Sequence, residues 1–120
     1  MIHTTLRMVI PLEKQREVTK ILTRMVERTR VEYGCISCHF YSDLQDELGF
    51  MLEEIWKTND DLVRHLRSDD FRNVLLVAET ALDAPDIIFS DVIPGDGIDA
   101  IKRVRSAVYN IFDRAGNRAV

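Results

Sequence analysis

The chain has 120 residues, 46% of them hydrophobic and 30% charged, which suits one globular domain and excludes both two domains and predominant disorder. At this length folding hides roughly two-thirds of the unfolded surface, so a single core can form without staples. Sixteen Lys and Arg against twenty Asp and Glu leave a formal charge of -4, the wrong sign for a protein that binds nucleic acid by displacing counterions.

Residues 2–10 alternate loosely, with Ile2, Thr4, Thr5, Val9 and Ile10, and read as a short strand. Pro11 suits a helix start, because the N–H it lacks would go unpaired there. Val18, Ile21, Leu22, Met25, Val26 and Thr29 then recur at helical spacing among charged residues, which predicts an amphipathic helix from Leu12 to Glu32 stopped by Gly34. From residue 35 the period changes to two. Ile36, Cys38 and Phe40 fall on one face, and Cys35, Ser37, His39 and Tyr41 on the other. After a polar turn, Phe50, Leu52, Glu54 and Trp56 share one face of the next strand, so residues 35–57 read as an antiparallel hairpin.

Thr58 or Asn59 can cap a short helix whose inner face carries Leu62 and Leu66. Ser68 restarts the helix, and Phe71, Val74, Leu75, Ala78, Ala81 and Leu82 form its apolar stripe. Pro85 ends it, and residues 86–93 form the fourth strand. The order β-α-β-β-α-β is that of the ferredoxin-like α+β fold, one antiparallel sheet with both helices on one face. The other face carries too many apolar residues to stay wet, so a homodimer across it is expected. Pro94-Gly95-Asp96-Gly97 marks a linker, which divides the chain into a domain of residues 1–93 and a C-terminal segment of residues 94–120. Within that segment Ile98, Ile101, Val104, Val108 and Ile111 predict an amphipathic helix that could cap the pocket or build a higher oligomer.

No apolar run approaches the ~20 residues of a membrane span. No basic-then-apolar leader opens the chain, so no membrane partner and a cytoplasmic setting are expected.

Two clusters could carry chemistry. Cys35-Ile36-Ser37-Cys38-His39 has the C-x-x-C-H spacing of covalent haem attachment. Strand periodicity would send the two thiols to opposite faces, so they read better as small strand residues, one of them buried. Glu54, Trp56 and His65 are the second cluster. Glu54 and Trp56 project from one strand face, and His65 lies on the helix that follows. Were they to converge, an indole wall, an imidazole and a carboxylate would suit a flat, weakly acidic aromatic molecule. The plainer alternative puts Trp56 in the core and leaves His65 half exposed. His3, His39 and His65 lie on separate segments with no ligand spacing, so no metal site is expected.

Three stretches carry a family resemblance: Tyr33-Gly34-Cys35-Ile36, Glu54-Ile55-Trp56, and His65-Leu66-Arg67-Ser68-Asp69-Asp70-Phe71. In order and spacing they resemble the antibiotic-biosynthesis monooxygenase family of dimeric α+β barrels, over residues 1 to about 93. The resemblance implies oxidation of a small quinol-like or polyketide-like aromatic by dioxygen, with no metal or flavin cofactor. It implies that His65 handles the proton, Trp56 shapes the pocket and Glu54 orients a partner. A haem-degrading branch of the same fold uses a His and an Asn at places that hold Leu75 and Leu6 here, so haem degradation is not expected. A non-catalytic dimer that binds a small molecule or a partner protein is the competing expectation.

Overall fold

The computed structural model describes residues 1–106. The elements are β1 (Ile2–Val9), α1 (Leu12–Thr29), β2 (Cys35–Asp43), β3 (Asp46–Trp56), α2 (Asn59–Leu66), α3 (Asp69–Ala78), β4 (Asp86–Asp91) and α4 (Ile98–Ser106). The strands form one antiparallel sheet in the order β2-β3-β1-β4, the arrangement of the ferredoxin-like α+β fold. The core lies between this sheet and the helices. Leu6 and Met8 of β1 and Phe50 and Leu52 of β3 meet Val18, Leu22, Met25 and Val26 of α1 and Val74 and Val77 of α3.

Local chemistry sets the boundaries. Thr58 caps α2 by accepting from the Asp61 N–H at 3.1 Å, and Ser68 caps α3 by accepting from the Phe71 N–H at 3.2 Å. α1 ends at Thr29, three residues short of the predicted Glu32, where the bonding tightens to three-residue turns: the Val31 N–H donates to the Arg28 carbonyl at 3.3 Å and the Glu32 N–H to the Thr29 carbonyl at 3.0 Å. The chain then turns through Gly34, whose φ of +84° favours glycine. A Cβ there would also stand 2.2 Å from Asp61 Cγ.

The structure corrects the expected facing of β2. Cys35 pairs with Trp56 and Cys38 with Glu54, because a bulge at Ile36 breaks the register between Cys35 and Ser37. The extra residue restores Cys35 to the face of Cys38, so both thiols point beneath the helices and Ile36 is exposed. His39, opposite Glu53, faces the other way. The helical stripe is also rotated from its predicted position, since Val77 is buried whereas Leu75 is half exposed, and α3 ends at Ala78, before the predicted Ala81 and Leu82. β4 ends at Asp91, two residues short of the predicted limit, and it is an edge strand exposed along its whole length. The outer sheet face mixes Met51, Ile55, Ile88 and Tyr41 with His3, Thr5, Arg7 and Glu53. α4 follows the Pro94–Gly97 stretch; Val108 and Ile111 of the predicted helix lie outside the described residues. Among the described residues no helix is long and apolar enough to cross a membrane.

Candidate functional site

Glu54, Trp56 and His65 come together beneath the helices. Strand alternation brings Glu54 and Trp56 to the inner face of β3, and each is 1% exposed. The single turn between Trp56 and α2 returns the chain so that His65, in the last turn of α2, lies against that face. Its ring stacks on Trp56 with centroids 4.6 Å apart, and Phe71 of α3 meets it edge-on at 5.4 Å.

The polar atoms of the cluster are satisfied by one another. The Trp56 indole N–H donates to Glu54 Oε1 at 3.0 Å. His65 Nε2 lies 3.1 Å from Glu54 Oε2, and Nδ1 lies 2.7 Å from Glu32 Oε2. The Cys38 thiol stands 3.8 Å from Glu54 Oε2. Burial works against a charge on the imidazole, but the Glu54 and Glu32 carboxylates outweigh it, and the His65 pKa is raised above the ordinary histidine value. With a carboxylate at each nitrogen, the geometry suits an imidazolium that donates to both, packed between the rings of Trp56 and Phe71.

Glu54, Trp56 and His65 are the members to which the sequence points. Glu32 is not legible as a site residue, because it is remote in sequence and falls at the end of the predicted helix. Its place beside Gly34, the residue that ends that helix, was the one available signal.

A cavity of about 200 Å³ opens beside this cluster. Thr4, Leu6, Leu52, Leu66, Phe71 and Phe89 are among its walls, and Glu54 is the ionisable residue that lines it. Trp56 and His65 are not among the lining residues; they stand behind Glu54. The sequence expectation was a hollow faced by all three, and only the carboxylate reaches it. The cavity can therefore hold a small apolar ring with one polar substituent against a buried carboxylate. A larger groove of about 550 Å³ runs between α1 and α3, but its walls include the helix-surface cations Lys14, Lys20, Arg24 and Arg28 and none of the candidate residues.

The C-x-x-C-H stretch does not form a site of its own. Burial, with the Glu54 and Glu32 charges adding to it, pushes the Cys35 thiol up to about 11, and burial raises Cys38 as well. His39 lies on the outer face, where Arg30 reaches its Nδ1 at 3.1 Å. Two inward thiols and an outward imidazole cannot grip one haem. Among the described residues, no group of three or more His, Cys, Asp or Glu side chains could hold a metal ion.

Residues 1–75 match the family model described as antibiotic biosynthesis monooxygenase. No curated protein matches the chain. Among solved structures, one described as an antibiotic biosynthesis monooxygenase is 24% identical with a TM-score of 0.72, covering 78% of this chain and 100% of its own. A conserved protein from Methanosarcina mazei Go1 is 26% identical with a TM-score of 0.72, covering 77% of this chain and 92% of its own. A Mycobacterium tuberculosis protein shares the fold at 18% identity with a TM-score of 0.72, covering 80% of this chain and 98% of its own.

Proposed function

The chain belongs to the antibiotic biosynthesis monooxygenase family, and from that premise we propose that it oxidises a small quinol-like or polyketide-like aromatic with dioxygen, without a metal or flavin. The observation that carries this reading is the apolar cavity of about 200 Å³ with one buried carboxylate, Glu54, in its wall.

The cavity holds the substrate ring, and Glu54 takes the proton of its phenolic O–H. The resulting phenolate gives one electron to dioxygen, leaving a phenoxyl radical and superoxide. The pair recombines to form a C–O bond at a ring carbon that bears hydrogen, giving a peroxide anion. Glu54 returns the proton to the peroxide, and loss of water leaves a carbonyl at that carbon. One oxygen atom enters the product and the other leaves as water. The protein contributes a dry wall, an oriented ring and a carboxylate of fixed direction.

This assignment moves the proton from His65 to Glu54, because Glu54 is the member that reaches the cavity. Both nitrogens of His65 are engaged by carboxylates. His65 and Trp56 then hold Glu54 in place, through Nε2 and the indole N–H. The protein acts in the cytoplasm as a homodimer through its outer sheet face. Residues 1–93 carry the activity, and α4 is available to build a higher oligomer. The fully bonded state of His65 favours a second reading, a dimer that binds a small aromatic and does no chemistry on it.

Oxygen uptake with a panel of hydroquinones, comparing the wild type with Glu54→Gln, His65→Ala and Trp56→Ala, separates the two. The proposal expects uptake above buffer with at least one compound and its loss in Glu54→Gln. Binding of a compound without uptake supports the second reading. No uptake and no binding across the panel would refute both.

A further inference from the structure

The buried imidazole has a side that leads away from the cavity. Glu32 sits in the turn between α1 and β2 with its side chain 28% exposed, and its Oε2 is 2.7 Å from His65 Nδ1. The His65 side chain has no exposed surface, and Nε2 meets the buried Glu54 carboxylate at 3.1 Å. Three titratable groups therefore run in line from solvent to cavity wall: Glu32, His65 and Glu54.

An exposed ion pair would contribute little, because water screens both partners. This pair is different in kind. One partner is wholly buried, so the attraction acts across a poorly polarisable medium. The groups facing His65 come from every element packed on it. Glu32 comes from the α1–β2 turn and Glu54 from β3, with the Cys38 and Cys35 thiols of β2 beyond Glu54. α3 presents the uncharged Phe71.

We propose that Glu32 is a positioning residue that links the buried site to solution: His65 gains and loses its proton through Nδ1 and the Glu32 carboxylate. In the forward step the Nδ1–H bond breaks and an O–H bond forms on Glu32. The imidazole is left neutral with its remaining proton on Nε2, still donated to Glu54. Water then takes the proton from Glu32 and restores its carboxylate. The return step runs through the same atoms. For its catalytic consequence the inference rests on the reading of Glu54 as the cavity base, since the charge on His65 sets the field that Glu54 feels.

The test is nitrogen-15 NMR of histidine-labelled full-length chain without substrate, with His3 and His39 of the outer face as internal references. Glu32→Gln keeps an acceptor for Nδ1–H but removes the charge. It should lower the His65 titration midpoint below that of the wild type. In the wild type, the Nδ1 proton should exchange with water faster than the Nε2 proton. A Glu32→Gln midpoint equal to that of the wild type would overturn the proposal, and so would Nε2–H exchange as fast as Nδ1–H. The second measurement needs no variant, so a poorly folded Glu32→Gln leaves the proposal testable. Oxygen uptake enters neither readout, so their failure would overturn the role of Glu32 and leave the cavity reading standing. The expected titration without any uptake would do the reverse.

Discussion

Replacing His65 with leucine should cost the fold about 5 kcal/mol, and neutralising Glu54 in the same chain should recover part of that loss. The substitution leaves Glu54, 1% exposed, with the Trp56 indole N–H and the distant Cys38 thiol as its remaining donors. Removing one partner of a buried ion pair costs about 3–5 kcal/mol, because the other charge stays buried. Lost ring contacts with Trp56 and Phe71 add about 0.5–1.5 kcal/mol. Leucine is apolar and of comparable bulk, so the void left behind is small. Glu32 loses the same partner but can turn its part-exposed carboxylate to water. A domain of this length has a total stability of about 6–18 kcal/mol, so the variant should remain folded. With a guanidinium slope of about 4 kcal/mol per molar, the unfolding midpoint should fall by about 1 M. Glu54→Gln added to His65→Leu removes the stranded charge and keeps an acceptor for the indole. The double variant should therefore be more stable than His65→Leu alone. A loss under about 1 kcal/mol for His65→Leu, or a double variant less stable than the single one, would refute the buried ion pair.

Three further outcomes follow from the same geometry. The His65 pKa is raised by Glu54 and Glu32 against the effect of burial, so its contribution is complete below the unfolded value of about 6.5 and is lost as pH rises through the folded value; guanidinium midpoints should fall as pH rises above about 6.5, and an equal fall in His65→Leu would contradict the assignment. Burial holds the Cys35 thiol at about 11 against an ordinary value near 9, so at pH 8 its thiolate fraction is about 100-fold lower and it should react correspondingly slowly with a disulfide reagent until the chain is unfolded; immediate reaction of one thiol per native chain would contradict this. Gly34→Ala must accept a φ of +84° and a Cβ 2.2 Å from Asp61 Cγ, so it should lower stability by about 2 kcal/mol or more; an unchanged midpoint would show that α2 moves aside freely.

The features readable in the sequence are those that rest on local period and capping. Phe50, Leu52, Glu54 and Trp56 alternate strictly, so their common face followed from strand geometry alone, and the structure buries all four. Thr58 and Ser68 stood where helix caps are needed, and both cap. The misreadings have equally specific causes. A single extra residue at Ile36 moves Cys35 to the opposite face of β2, and no pattern of residue types announces such a bulge. Leu75 and Val77 are both apolar, and which of them is buried depends on how α3 is rotated against α1. Glu32 joined the site through a contact 33 positions away, across a turn whose path is set by Gly34 and Asp61. The common strand face of Glu54 and Trp56, with His65 on the helix that follows, makes their convergence a condition that the sequence states without deciding. That Glu54 alone would reach the cavity depends on the stacking of His65 on Trp56, which is a matter of packing.

The most direct test of the central claim, that this cavity lets dioxygen attack an electron-rich ring, uses labelled oxygen. With a hydroquinone that supports uptake, reaction under oxygen-18 gas in ordinary water should place one labelled atom in the product and the other in water, and Glu54→Gln should abolish the incorporation. Product oxygen drawn from water, or undiminished incorporation in Glu54→Gln, would contradict the account.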